Sequence, residues 1–493
     1  RAFYFFQFSQ ALDYITDSCF FDYEFQYVFA VSGIKKDIPI CDYLLNNKVI
    51  LDYLSKFKNV SHLFDLAKYK HITSDEKEYT LPINVVKVLK DTEKLFDVYG
   101  GQLNELGEHI IDLKSPLIGT HYNVNLLIGD RSKTKNPLQT TPKGVVDHLG
   151  RGSFRAHAAF QVLATKWDLR IEENGFPANR QFYLIENNEQ IFYSALIDDN
   201  VVDAKCKHSH NKTIITYKLK SDLTVVRTIF MLPYYNGLPD ATEVQTIEII
   251  NNRCKARNIK IVYTGMFGAT NTDAISTDIL YANLISQSRI IKNEYNEIIA
   301  LSPDYYPEYA KNGVRFITLR SDEGYADEFE TDIMHFIGNG TLEKPQYLLK
   351  LSNKLMKRGP QFFALAKNIT LKPRGKTTID TFTGVVNAPS VQNNAETNCL
   401  LSQINALLSK YKNHKFVKTE LKRVEEKYDK YRKFLQIKTS DKNFDTYINH
   451  NLPFQVYYQT FASRSFAQTQ KGYREIGFRE IQDLFASMYY LKY

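Results

Sequence analysis

Tryptophan is almost missing from this chain of 493 residues: Trp167 stands alone beside 33 tyrosines and 32 phenylalanines. Tyrosine and phenylalanine faces suit both core packing and stacking on sugar rings, so their abundance alone chooses neither. Cysteine is also scarce. The five, at 19, 41, 206, 254 and 399, form no Cys-x-x-Cys pair and are odd in number. A disulfide framework is therefore not expected, and reduced thiols in a cytoplasmic protein fit best. No apolar run reaches about 18 residues, so no membrane-spanning helix is expected. The opening Arg1–Phe6 is aromatic, short and without a signal-peptide cleavage region. The chain starts on Arg1 rather than Met, and both ends are expected to be cut. Neither Gly-x-Ser-x-Gly nor His-Glu-x-x-His occurs, and Gly150-Arg151-Gly152 lacks the strand and Lys-Ser/Thr context of a phosphate loop. A net charge of +8 is mild for this length. It favours an anionic substrate such as phosphate without demanding nucleic acid.

What is present reads as several domains, because 493 residues exceed one ordinary core. Residues 1–150 have a mixed, partly helical character. Tyr43–Lys70 and Ile83–Leu106 carry apolar residues at helical spacing, the second closed by Gly100-Gly101. From 151 to 392 the period shortens. Phe182–Ile185, Gln190–Tyr193, Thr213–Tyr217, Thr224–Phe230, Glu243–Ile250, Ile259–Tyr263, Val314–Leu319 and Thr377–Phe382 are β-branched and aromatic, with Asn, Gly, Asp and Pro between them. Many strands without regular intervening helices predict a large antiparallel sandwich. Residues 393–437 return to helical spacing through Leu400, Ile404, Leu407, Leu408 and Tyr411. The densely charged Lys415–Lys433 follows, expected as a solvated helix face with i,i+4 ion pairs. Residues 438–493 resume helical periodicity and end on the apolar run Leu484–Tyr490, a surface that needs partners.

Three constellations can carry chemistry. Cys206-x-His208-x-His210 offers three zinc-type ligands, but the polar Lys-His-Ser-His-Asn-Lys turn makes a solvated strand end the expected reading. His148 and His157 lie near the Gly-rich turn and are expected as ordinary core or loop histidines. The third is Ser463–Asp483, where Arg464, Arg474, Arg479, Glu480, Gln482 and Asp483 gather around Gly472 and Gly477. Planar guanidinium and carboxylate groups can hold the hydroxyls of a pyranose ring. A helix-start salt-bridge network, with Arg479 and Asp483 at i,i+4, explains the same residues equally well.

A resemblance separates these alternatives. Tyr447–Gln455, YINHNLPFQ, resembles the Asn-x-Trp-Leu-Pro-Tyr-Gln signature of cellobiose phosphorylases and their relatives in glycoside hydrolase families 94, 149 and 161. Asn449, Leu452, Pro453 and Gln455 match, Phe454 replaces Tyr, and Asn451 stands where Trp is usual. Ser463-Arg464-Ser465 is similar to the family's Ser-Arg-Ser. Gly472–Glu480 resembles its Gly-x-Arg-x-x-Gly-Phe-Arg-Asp, and Gln482-Asp483 its Gln-Asp. Glu480 replaces Asp, and one residue rather than two separates it from Gln482. Both departures lean toward the β-1,3-glucan branch.

The resemblance implies a β-plus-α multidomain enzyme: an antiparallel supersandwich over 151–392, a helical linker over 393–437, and the start of an (α/α)6 barrel over 438–493. It implies phosphorolysis of a β-glucan oligosaccharide by inorganic phosphate to α-glucose 1-phosphate, with no metal or organic cofactor and with a homodimer as the working form. Arg464, Arg474 and Glu480 would hold the glucosyl unit, with Arg479, Gln482 and Asp483 beside them. The family's general acid lies in a Trp-rich motif. None follows Trp167, so the acid is expected beyond Tyr493 and this chain alone is expected to be inactive. Two other readings remain: a cellobiose or cellodextrin phosphorylase or the phosphorylase-like domain of a cyclic β-glucan synthase, and a non-catalytic carbohydrate-binding sandwich. Neither nucleic acid nor membrane is an expected partner.

Overall fold

Strands of eight to eleven residues in which alternate side chains face a core organise the described part of the chain. The computed structural model describes residues 68–72, 78–82, 101–115, 124–129, 143–150, 152–154, 180–267, 288–302, 314–356, 362–386, 394–433, 435–454 and 456. The chain divides into two units. In the first, which holds residues 1–102 and 110–123, β1 (Lys68–Ile72) and β2 (Glu78–Pro82) form an antiparallel hairpin with Tyr69 opposite Leu81. The helical expectation for Tyr43–Lys70 fails at its end, where Lys68–Lys70 are strand. For Ile83–Leu106, residues 83–100 lie outside the described residues; Gly101, where that helix was expected to close, has a φ of 123°, and β3 (Gln102–Leu103) follows it. A short β4 follows at His109–Asp112.

The second unit holds the sandwich. A three-stranded sheet is formed by β5 (Val124–Ile128), β6 (Lys143–Asp147) and β7 (Gly152–Phe154). The next strands are β8 (Gln181–Glu186), β9 (Glu189–Tyr193), β10 (Val201–His208), β11 (Lys212–Leu219), β12 (Leu223–Met231), β13 (Ala241–Asn251) and β14 (Arg257–Met266). Then come β15 (Arg289–Lys292), β16 (Ile298–Ser302), β17 (Val314–Ser321), β18 (Gly324–Tyr325), β19 (Glu328–Glu330), β20 (Phe362–Leu371) and β21 (Lys376–Val386). The large sheet runs β15-β16-β17-β21-β13-β12-β11-β10, and a second runs β19-β20-β14-β8-β9, with antiparallel pairing throughout. All eight strands expected between 182 and 382 are present, and each is one to five residues longer than expected because the ladders continue past the alternating segments.

The large sheet is covered on both faces, which explains why β21 is buried at every position after Lys376. On one face, Phe230, Val244, Phe316 and Phe382 meet Leu400, Ile404, Leu407 and Leu408 of α2 (Asn394–Lys410). Each such apolar side chain removed from water contributes about 1.5–3 kcal/mol. On the other face, Ile229, Met231, Ala241 and Val385 meet Leu127 and Val146 of the small sheet. A one-turn helix, α1 (Ile333–Ile337), closes the edge of the second sheet through Ile333 and Phe336.

Between the two sheets lies a polar layer. Arg227 is wholly buried, and its guanidinium donates to Gln245 Oε1 at 2.7 and 3.0 Å and to Gln181 Oε1 at 2.9 Å. It also donates to the carbonyls of Leu149 (3.1 Å), Gly150 (3.0 Å) and Arg180. Arg180 and Glu243, both buried, pair at 2.8 Å. This layer accounts for Gly150. Its φ is 77°, and a Cβ there would stand 2.5 Å from Arg227 Nη1, so only glycine lets the loop reach the arginine.

Candidate functional site

The chain leaves the sandwich through α2 and α3 (His414–Arg432), and α3 is the element around which polar groups gather. Asn413 caps it by accepting the amide of Lys415 at 3.1 Å, and Lys430 and Arg432 in its last turn suit the negative end of the helix dipole. Val417, Val424 and Tyr428 face inward at helical spacing, while Lys422 and Glu426 form the expected i,i+4 pair on the solvated side. Glu420 departs from that expectation. It is buried and accepts hydrogen bonds from Tyr235 (2.8 Å) and Tyr411 (3.2 Å), and burial beside this carboxylate pushes the Tyr411 phenol far up. Lys410 lies 3.8 Å over the Tyr235 ring.

Two concavities flank α3. One, of about 420 Å³, is lined by Pro233, Arg423, Lys427, Tyr428, Lys430 and Tyr431. The other, of about 190 Å³, is lined by Glu108, His210, Lys212, Glu425, Arg432 and Phe454 among others. The second is where sandwich, linker and the 447–455 signature meet. After α4 (Lys442–Thr446), Tyr447–Asn451 form one π-helical turn. Asn449 bridges the backbone of Ile437 twice, accepting from its N–H at 2.8 Å and donating to its carbonyl at 2.9 Å. Asn451, where the resemblance has Trp, donates to the Gly107 carbonyl at 3.2 Å. Gly107 has a φ of 69°, and a Cβ on it would meet Asn451 Oδ1 at 2.3 Å. Phe454 is buried with Val424 and Tyr428, and its ring is stacked 3.8 Å from that of His210 with 2° between the planes.

The histidines of the Cys206-x-His208-x-His210 run are therefore not a solvated strand end, a correction to the expectation above. Cys206 and His208 are buried neighbours, with Sγ 3.7 Å from Nε2 and the other ring nitrogen 2.8 Å from Thr213 Oγ1. His210 turns away onto Phe454. Burial first, then the charges of Arg432 and His450, hold the His210 imidazole down to about 3. Among the described residues no three His, Cys, Asp or Glu side chains are placed to hold a metal ion. Burial raises the Glu108 carboxyl, but hydrogen bonds from Ser209, Asn104 and Lys207 outweigh it, so the group lies below the usual carboxylate range. His148 is buried, as expected for a core histidine.

Chemically this is a place that holds. Its carboxylates are committed to Ser209 and Lys207 (Glu108), Lys212 (Glu425) and Arg432 (Asp429). Of the residues expected to bind sugar, Arg464, Arg474, Arg479, Glu480, Gln482 and Asp483 all lie outside the described residues. Of the signature that precedes them, residues 447–454 are described and Gln455 is not, and Asn449 and Phe454 act as anchors. Glu420, Arg227 and the His210–Phe454 stack were not anticipated. For Arg227 a signal existed: it occupies the inward position between Val225 and Ile229 in β12.

The described strands form an antiparallel sandwich with a helical strap on one face. The family model for the glycosyl hydrolase 94 supersandwich domain matches residues 143–414, more than half of the chain, and the chain belongs to that family. Among solved structures it is similar to a protein assigned as a kojibiose phosphorylase from the human microbiome (12% identity, TM-score 0.34, 56% of this chain and 31% of that one). It is also similar to a polysaccharide lyase (9%, 0.29, 56% and 34%). A third is a protein assigned as an aldose 1-epimerase from Klebsiella pneumoniae (8%, 0.28, 61% and 95%). The chain spans about a third of the length of the first two. The assignment rests on the family match and not on these likenesses. No curated protein matches the chain. Among the described residues no helix is long and apolar enough to cross a membrane.

Proposed function

We propose that this protein serves inverting phosphorolysis of a β-glucan oligosaccharide, of the β-1,3 series, releasing α-glucose 1-phosphate. The observation that carries the reading is continuity. The family match over 143–414 ends where α3 begins, α3 leads on to the 447–455 segment that resembles the signature, and Phe454 of that segment stacks on His210 in the sandwich turn. In such a reaction one carboxylic acid protonates the leaving oxygen while phosphate attacks the opposite face of the anomeric carbon. Arg464, Arg474 and Glu480 hold the glucosyl unit in this proposal, with Arg479, Gln482 and Asp483 supporting them. The resemblance places the general acid at none of the positions up to Tyr493. Inorganic phosphate is the co-substrate, no metal or organic cofactor takes part, and the working form is a cytoplasmic homodimer.

The test is phosphorolysis by the product of the complete natural gene. It would be offered laminari- and cello-oligosaccharides with phosphate, and glucose 1-phosphate would be followed. Release from the β-1,3 series, with KM raised at least about tenfold by Arg474→Ala, is the expected outcome, since loss of a charge-assisted hydrogen bond costs about 1.5–3 kcal/mol. Release from the β-1,4 series alone corrects the linkage. Release from neither refutes the reading.

A further inference from the structure

The bond between Arg432 at the end of α3 and His450 in the π-helical turn has a property that the other contacts of the joint lack. Arg432 Nη1 lies 2.9 Å from His450 Nδ1. A guanidinium only donates, so Nδ1 must offer its lone pair, and the contact exists only with a neutral imidazole. Arg432 is held from its other side by Asp429, three residues earlier on the same helix. The bond therefore ties the end of the linker helix to the turn that opens the 447–455 signature, nine residues after which Arg464 follows in sequence.

We infer that His450 is a positioning residue: as a neutral acceptor it locks the 447–454 turn to α3, and its protonation releases that lock. Among the described residues, these groups surround it. From α3 come Arg432 and Asp429. From the β10–β11 turn comes His210, which stacks on Phe454. Next to Gly107, whose own Cβ position is 2.8 Å from His450 Cβ, comes Glu108, with Lys207 and the Lys212–Glu425 pair behind it. Most of the nearby carboxylates are already paired with a cation: Asp429 with Arg432, Glu425 with Lys212, and Glu108 with Lys207. A proton on His450 therefore adds a second positive charge beside Arg432, with Asp429, among the described residues, as the anion that favours it. Burial and then Arg432 set the imidazole below its ordinary value, which agrees with the geometry, and Asp429 opposes them. The sign follows. The lock is complete above the ordinary histidine value and is lost as pH falls through the lowered one.

What the lock positions rests on the phosphorylase reading, because it is the segment beyond Phe454 that carries Arg464, Arg474 and Glu480. The test separates the two. His450→Lys puts a permanent donor-only cation at the position, and His450→Gln restores a neutral acceptor. All three proteins, as products of the complete natural gene, are compared by hydrogen exchange at one pH of about 7.5, where the wild-type imidazole is neutral. His450→Lys is expected to speed exchange across residues 435–454 by about tenfold or more, and His450→Gln to leave it within about twofold. β21 serves as the control for a folding defect. In turnover, His450→Lys is expected to raise KM for the oligosaccharide, His450→Gln to restore it, and the acid limb of the wild-type kcat/KM profile to flatten in His450→Gln. Equal exchange in His450→Lys and His450→Gln overturns the proposal, and so does a rise that spreads to β21. A wild-type protein without phosphorolysis refutes the phosphorylase reading while leaving the exchange contrast to decide the lock.

Discussion

Acidification should weaken this fold through one side chain, His210, by an amount that can be worked out. Its imidazole sits in the turn between β10 and β11, flat against Phe454, and its value is held down from 6.5 to about 3. The unfolded chain keeps the ordinary value. Between about 6.5 and 3 the unfolded state binds the proton and the folded state does not, so stability falls as pH falls. From pH 7 to pH 5 the unfolded side chain goes from mostly neutral to almost fully protonated. The loss is about 2 kcal/mol, given about 1.4 kcal/mol per unit once titration is complete. His210→Phe keeps a ring on Phe454 and has no proton to gain. Urea unfolding would be read at the amides of β10 and β11 by hydrogen exchange, at both pH values and for both proteins. The wild type should lose about 2 kcal/mol more than His210→Phe over this interval. Every other titrating group is common to the two proteins and largely cancels. Parallel losses would refute the reasoning, because they would mean that His210 takes up its proton while stacked, without penalty.

How much of this was legible beforehand depended on whether the pattern was local. The strands of the sandwich were, because alternation in segments such as Thr224–Phe230 and Thr377–Phe382 is imposed by the pleat itself. So was α2, where Leu400, Ile404, Leu407 and Tyr411 mark one stripe. Lys415–Lys433 was legible as a helix but not in its charges. Glu420 looks like its exposed neighbours in sequence, and only the arrival of Tyr235 and Tyr411 from elsewhere buries it. The same holds for His210. Its neighbours Lys207, Ser209, Asn211 and Lys212 read as a solvated turn, and nothing within ten residues predicts that Phe454 will cover it. Strand content near the amino-terminal end was misread where Lys68–Lys70 mimic a helix end. The resemblance over 447–455 was read from residue identities, beyond the family match that ends at 414, and the structure adds what identities do not contain: Asn449, Asn451 and Phe454 are committed to Ile437, Gly107 and His210, so this segment fastens the chain.

Two further outcomes are expected at the places where helices meet the sheet. His414 sits beside Asp380, which also accepts from Thr246. The hydrogen bond that the imidazole donates to Asp380, opposed by burial, raises the imidazole. The sign is the reverse of that at His210: the contribution is present below about 6.5 and is lost as pH rises through the raised value, so His414→Gln should cost more at pH 5.5 than at pH 8 in urea unfolding read at β21. Arg320 grips Glu297 through two bonds of 2.8 Å and donates to the carbonyls of Leu408 (2.6 Å) and Tyr411 (3.3 Å), satisfying acceptors that the end of α2 leaves open. Glu297 is fully buried, so Arg320→Met strands its carboxylate and should cost about 3–5 kcal/mol, whereas Arg320→Met with Glu297→Met should recover much of the loss. Recovery in the urea midpoint would show that the single variant fails through the stranded charge. If the double variant is as unstable as the single one, the grip on the α2 carbonyls is what matters, and Arg320 acts as the cap of the helix that straps the sandwich.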